Sequence, residues 1–432
     1  MILINTAYRD WKEKLDSLLN RMRTTPPEVD SVVREIIRGI KDRGDAALFE
    51  YTRVYDGFDP EQEGLLITGE EIAKAASRVP AEIYAALKTA AERIEGFHRN
   101  QKEQSWYFTD ETGSLLGQQV TAVESAGIYI PGGRNAFPST ILMNVIPAKI
   151  AGVDQIVVVS PTPEGRVNET LLAAAHVAGV DRIYRIGGAQ AIAALAYGTK
   201  SIPKAHKVVG PGNIYVAHAK RLLQGIIGID AFAGPSEILV IADGGANPKV
   251  VVSDLLSQAE HDAMASSILV TPSEGLAGAV LEILNTEVET LPRKDTIRAS
   301  LDAHGACIIT KDLEEAVTIA NNVAPEHLEL MVENAHEYLG RIRNAGAVFL
   351  GYMSPEAMGD YIAGPNHTLP TGSTARFSSP LGVYDFTKRT SVISLSADAI
   401  NRLGPMAARI ARAEDLEAHA RSVECRLKKQ GS

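Results

Sequence analysis

From about Gly127 onward the chain alternates short β-branched runs with helical stretches, and this alternation restricts it to a layered α/β architecture. The runs GIYI, QIVVVS, DRIYRIG and HKVVG are interleaved with STILMNVIPAKIAGV, ETLLAAAHVAGV, AQAIAALAYGT and NIYVAHAKRLLQ. A largely parallel sheet with crossover helices is expected, because a parallel neighbour is reached only by a long return over one face. EILVIAD, VVSDLLSQAEHDAMAS, SILVTP, GLAGAVLEILN, ACIIT and EEAVTIANNV repeat the pattern, so two α/β units in tandem are expected.

Ahead of them, RDWKEKLDSLLNRM, EVDSVVREIIRGIKDRG and AEIYAALKTAAERIEGFHRNQK carry helical spacing, punctuated by Gly44 and Pro80. After Asp360 comes a loop-rich stretch, GPNHTLPTGSTARFSSPLG, of a length that is usually functional, and then the polar, Ala-rich PMAARIARAEDLEAHARSVECRL. With 432 residues, 45% of them hydrophobic, the chain can bury cores for two domains. A net charge of -10 and no Lys/Arg cluster argue against nucleic acid and anionic lipid as partners. No apolar stretch approaches membrane-spanning length, and the N-terminus lacks signal-peptide features. Cys307 and Cys425 are too few for a disulfide framework or thiolate metal site, so a cytoplasmic location is expected.

Six features offer chemistry. Gln258 and His261, three apart in a helical segment, share a face and can present an amide oxygen and an imidazole to one metal ion; the same pair also suits an ordinary polar surface. Glu326 and His327 lie at a loop-to-strand junction after Pro325, a general base beside a carboxylate able to activate water, or a structural pair. Gly359-Asp360-Tyr361 leads into Gly364-Pro365-Asn366-His367, a rigid loop in which Asp360 and His367 offer a carboxylate and an imidazole, or a simple turn. Glu414 and His419, five apart on the terminal helix, share a face only if that helix is distorted. Glycine turns at Tyr129–Gly133, Gly187–Gln190 and Gly210–Asn213 end predicted strands, where ligands bind in open α/β sheets, yet none is the dinucleotide fingerprint. Ser236, in AGPSE, donates to a substrate or satisfies its turn.

In this order the blocks YIPGGRNAFPSTILMNVIPAKIAGV, GPGNIYVAHAKR, IDAFAGPSEILVIAD, SQAEHD, APEHLEL, GDYIAGPNHTLPT and EDLEAHA resemble the histidinol dehydrogenase family over nearly the whole chain. The resemblance implies two incomplete Rossmann-like domains with helical N- and C-terminal extensions, and a homodimer whose exchanged tails complete each other's sites. It implies zinc held by Gln258, His261, Asp360 and His419, and a catalytic pair Glu326 and His327. Substrate contacts would be Ser236, Gln258, His261, His327, Asp360, His367, Glu414 and His419, and NAD contacts Tyr129, Gln190 and Asn213. The implied substrate is L-histidinol, oxidised in four electrons to L-histidine. The implied segmentation is an extension over 1–25, a catalytic domain of 26–128 with 236–380, an NAD-binding domain of 129–235, and a tail of 381–432. Three rivals stay open: a relative acting on another polar alcohol such as a sulfonated propanediol, a zinc hydrolase using Glu326, and a non-catalytic binding protein.

Overall fold

The computed structural model describes residues 1–21, 27–132, 137–231 and 234–427, so Gly133 and Ala233 of the expected turns lie outside the described residues. In chain order, strands β1 (Ile2–Asn5) and β2 (Leu66–Thr68) stand among the N-terminal helices, and β3 (Trp106–Thr109) and β4 (Leu115–Ala122) pair antiparallel. The first alternation forms β5 (Ser125–Tyr129), β6 (Gln155–Val159), β7 (Arg182–Tyr184), β8 (Lys207–Val209) and β9 (Gly228–Ile229). The second forms β10 (Glu237–Ala242), β11 (Ser266–Thr271), β12 (Ala306–Ile309), β13 (His327–Met331) and β14 (Ala347–Leu350), and β15 (Thr387–Ser394) follows.

Two six-stranded sheets result, in the orders β1-β12-β11-β10-β13-β14 and β2-β7-β6-β5-β8-β9. Each contains five parallel strands in the order 3-2-1-4-5, one short of a full doubly wound sheet, plus an edge strand from the N-terminal region. In each, the connections reverse direction at a pair of neighbouring strands, β10 and β13 in the first sheet and β5 and β8 in the second.

The central strands are apolar throughout because helices cover both faces. Along β10 every residue is buried, with Leu239 and Ile241 in one core and Ile238, Val240 and Ala242 in the core on the opposite side. Each such Leu, Ile or Val contributes about 1.5–3 kcal/mol of transfer free energy, which favours this two-sided burial over any register slip.

The segmentation expected for the N-terminal third does not match the packing. Val29, Val33, Ile36 and Ile40 of the helix Pro27–Arg43, with Ala47, Leu48 and Tyr51 of Asp45–Asp56, share a core with Tyr129, Val157 and Val208 of the second sheet and Ile192 of the helix Gly188–Tyr197. β2 also pairs with β7 there, rather than with residues 236–380. Within the N-terminal extension, Ile2–Asn5 pairs with β12, and Leu15, Leu18 and Leu19 enter the first sheet's core. Amphipathic helices advertise that they need a partner face, not which one.

A second compact unit consists of residues 102–122 and 387–432. β15 pairs antiparallel with β4 along its whole length, and the helices Ala397–Ala413 and Glu417–Glu424 pack on each other at Gly404, close to Val423 and Leu427. Among the described residues no helix is long and apolar enough to cross a membrane.

Candidate functional site

The reversal strands of the first sheet bring Ser236–Glu237 and Glu326–His327 side by side at their N-terminal ends, although ninety residues separate them. Pro325 keeps the preceding residue out of the helical region: Ala324 caps the helix Leu313–Val323 in the left-handed conformation, φ 52°, and turns the chain into β13. Glu326 Oε2 then accepts the Glu237 amide (2.9 Å), and His327 Nδ1 donates to the Glu237 carbonyl (2.9 Å).

A carbonyl can only accept, so Nδ1 of His327 carries the ring proton and Nε2 keeps its lone pair. That Nε2 is buried without a hydrogen-bond partner, 3.8 Å from Glu356 and 3.9 Å from Asp360. Burial pushes the imidazole pKa below its usual value against the opposing pull of Asp360, which favours a neutral base. Burial also holds the Glu326 carboxyl well above the ordinary carboxylate range, only partly offset by the Glu237 amide.

His327, Glu356 and Asp360 place ligand atoms within 4.8 Å of one another, a grouping able to hold a metal ion. Only Asp360 is common to this group and the expected ligand set. Asp360 lies on the short helix Glu356–Tyr361, not in the loop expected for it. Glu356, one helical turn earlier on the same face, was not singled out from the sequence, though its four-residue spacing from Asp360 was the available signal. Its carboxyl is raised by burial and by the neighbouring Asp360.

Gln258 is the penultimate residue of the helix Pro248–Ala259, and His261 follows its Glu260 cap, which keeps helical backbone angles. A turn returns His261, whose amide donates to the Gln258 carbonyl (3.2 Å), within electrostatic reach of His327. The preceding Ser257 hydroxyl donates to Glu356 (3.4 Å), which places the end of this helix against Glu356. Gln258 is fully buried, and both its amide oxygen and amide nitrogen lack partners. An unmet buried amide costs about 1–3 kcal/mol, so this oxygen suits a cation.

His367 holds Asp360 from the other side: Nδ1 donates to the Asp360 carbonyl (2.8 Å), and Nε2 accepts from the Thr140 hydroxyl (3.3 Å). Thr140 begins the helix Pro138–Ala151, which follows β5, so the loop through His367 joins the N-terminal ends of the first sheet to the C-terminal ends of the second.

At that second edge stand the residues of the glycine turns. Tyr129 ends β5 with its hydroxyl accepting from the Gly188 amide (3.3 Å), and Gln190 is buried with its Nε2 unpartnered. Asn213 caps the helix Ile214–Leu223, accepting from the amides of Tyr215 and Val216 (both 3.1 Å). Ligands of doubly wound sheets sit at such a reversal point, outside the carboxyl ends of the strands.

Glu414 and His419 belong to the second unit and are exposed there. The terminal helix is indeed distorted: Glu414 caps Ala397–Ala413, Asp415 adopts a left-handed φ of 61°, and a new helix starts at Glu417. Cys307 is buried in β12, and Cys425 is exposed at the end of the helix Glu417–Glu424.

The sequence model of the histidinol dehydrogenase family matches residues 19–427. The histidinol dehydrogenase of Syntrophotalea carbinolica is 52% identical over 99% of both chains, and that of Neisseria meningitidis 50% over 98% of this chain and 99% of its own. The crystal structure of histidinol dehydrogenase from Elizabethkingia anophelis superposes with a TM-score of 0.93 at 37% identity, covering 100% of this chain and 99% of that one. Sequence likeness over the full length and a shared fold lead to one conclusion: this chain belongs to the histidinol dehydrogenase family.

Proposed function

We propose that this oxidoreductase converts L-histidinol through L-histidinaldehyde to L-histidine, the closing steps of histidine biosynthesis, using zinc and two molecules of NAD. The observation that carries the reading is the cluster of His327, with its free Nε2, Glu356 and Asp360, against which Ser257 brings the end of the helix that carries the buried, unpartnered Gln258 amide. Gln258, His261 and Asp360 would hold zinc together with His419 of a second copy, and the N/O donor set suits that ion. When bound, zinc supplies a Lewis-acid template for the amine and imidazole nitrogens of the substrate, and NAD supplies the hydride acceptor.

His327 Nε2 removes the hydroxyl proton as hydride leaves the alcohol carbon. Glu326 then takes a proton from water that adds to the aldehyde, and His327 again accepts the hydroxyl proton of the hydrate as the second hydride leaves. Two hydrides thereby depart and one water is gained, which balances alcohol to acid. Ser236 and Glu414 hydrogen-bond the substrate, with Glu414 reading its second imidazole nitrogen, while His367 holds Asp360 at the substrate's edge. Tyr129, Gln190 and Asn213 line the NAD crevice within residues 129–235.

A cytoplasmic homodimer with exchanged tails is part of this reading. In support, the second unit leaves Ile393, Leu395, Leu403, Met406 and Ile410 exposed, the last three in one stripe along a helix. The test is to count NADH per histidine released by zinc-loaded protein. Two per histidine is expected; no turnover of L-histidinol with activity on another polar alcohol would transfer the same chemistry to a different substrate.

A further inference from the structure

Gly210 closes the cofactor crevice, and both of its backbone polar groups are held by one buried ion pair. Lys220, inward on the helix Ile214–Leu223, donates from Nζ to the Gly210 carbonyl (2.9 Å). Asp230, just beyond β9, accepts the Gly210 amide on Oδ2 (2.8 Å), and Lys220 pairs with its other oxygen. The two side chains are only 2% and 3% exposed.

A buried pair of this kind gives little net stability, because desolvating two charges offsets their attraction; apolar replacements of similar volume are often neutral or better. What the pair does supply is direction, since each charge fixes one side of the same peptide. The peptide needs it. Gly210 has φ +116°, and a Cβ there would stand 2.0 Å from the Tyr129 carbonyl oxygen, so no side chain can wedge the turn into place. Gly212 is bare for a similar reason, with a Cβ landing 2.4 Å from Val216. A second pair, Lys207 with Asp385 (3.2 Å), lies alongside, with Asp385 within electrostatic reach of Asp230.

We infer that Lys220 and Asp230 are positioning residues for the cofactor, clamping the turn Gly210–Asn213 at the reversal point of the second sheet. The inference rests on the assignment of that crevice to NAD. Among the described residues the polar partners of Lys220 and Asp230 are each other and Gly210, not His327 or Glu326, so the clamp acts on NAD affinity and leaves metal loading alone.

The experiment compares the parent enzyme with Lys220→Met/Asp230→Leu, measuring NAD binding by calorimetry, zinc content and melting temperature. The expected result is a folded variant with parental zinc content and an NAD dissociation constant raised about tenfold or more, a loss of roughly 1.4 kcal/mol. Parental NAD affinity in the folded variant overturns the clamp. Asp230→Asn, which keeps an acceptor for the Gly210 amide but removes the charge facing Lys220, serves if the double variant does not fold: a loss of NAD affinity about threefold or more supports the clamp, and lowered melting temperature with unchanged affinity overturns it. Absence of NAD binding by the parent enzyme would instead remove the crevice assignment on which the clamp depends.

Discussion

The two sheets share one strand order and place their polar residues at opposite ends. In the second, the carboxyl ends of β5 and β8 carry Tyr129 and the Gly210–Asn213 turn, the crevice that doubly wound sheets usually offer a ligand. In the first, the corresponding end beyond β10 and β13 is tied together by hydrogen bonds. Asp243 there accepts from the amides of Gly245 and Glu333 (both 2.9 Å) and from the Tyr352 hydroxyl (2.8 Å). Its titratable cluster sits instead at the amino ends of the same two strands, around Glu326 and His327. Strand order thus identifies a crevice in each sheet but does not say which end has been given chemistry.

The comparison is tested most severely at His327. His327→Ala should lower both oxidations by about 10²–10⁴-fold while leaving NAD affinity within twofold, because it removes the base without touching the second sheet's crevice. Comparable loss of NAD binding would mean that the two edges do not act separately. Glu326→Gln should divide the two steps: single-turnover kinetics are expected to show alcohol oxidation within a few-fold of normal and aldehyde oxidation down about 10²-fold or more.

The same pair separates the steps by pH. Burial depresses His327, so the alcohol step should keep its rate below neutral pH, whereas the raised Glu326 carboxyl must ionise before the aldehyde step can run. The acid-side loss should therefore come at higher pH for aldehyde than for alcohol oxidation; coincident profiles for the two steps contradict the assigned roles.

A smaller effect is expected in the metal-free protein. Asp254, Glu329 and Glu356 are buried acids whose pKa values burial raises in the folded state, so the unfolded chain ionises first as pH rises. The stability they contribute is complete below the ordinary carboxylate range and is lost toward pH about 9, where Glu356 also ionises. Melting temperatures after chelation should fall across that window, and a flat profile would place these acids in contact with water. Smallest of all should be Asp243→Asn at the hydrogen-bonded end of the first sheet, with kcat unchanged and stability reduced by about 1–2 kcal/mol. Loss of turnover there would reverse the assignment of ends.

Much of this was legible before any coordinates. Continuous apolar runs such as EILVIA report strands covered on both faces, and helical stretches between them require parallel pairing, so the α/β class follows from local pattern. Pro325 marked the loop-to-strand junction that carries Glu326 and His327, whereas the break at Asp415 between Glu414 and His419 had no signal of its own in the sequence. Other readings failed where the deciding partner is remote. The N-terminal helices join the second sheet instead of residues 236–380.

By itself, then, the sequence determined which segments are strands and helices, which side chains have acid, base or ligand chemistry, and, through its ordered blocks, the family. Only the tertiary structure decided which end of each sheet carries them, drew Glu356 into the cluster, and left Gln258 buried without a partner. The physical reason is range: periodicity is set by the few residues of one turn or one pleat, whereas Glu237 and Glu326 meet only because two strands some ninety residues apart become neighbours in a sheet.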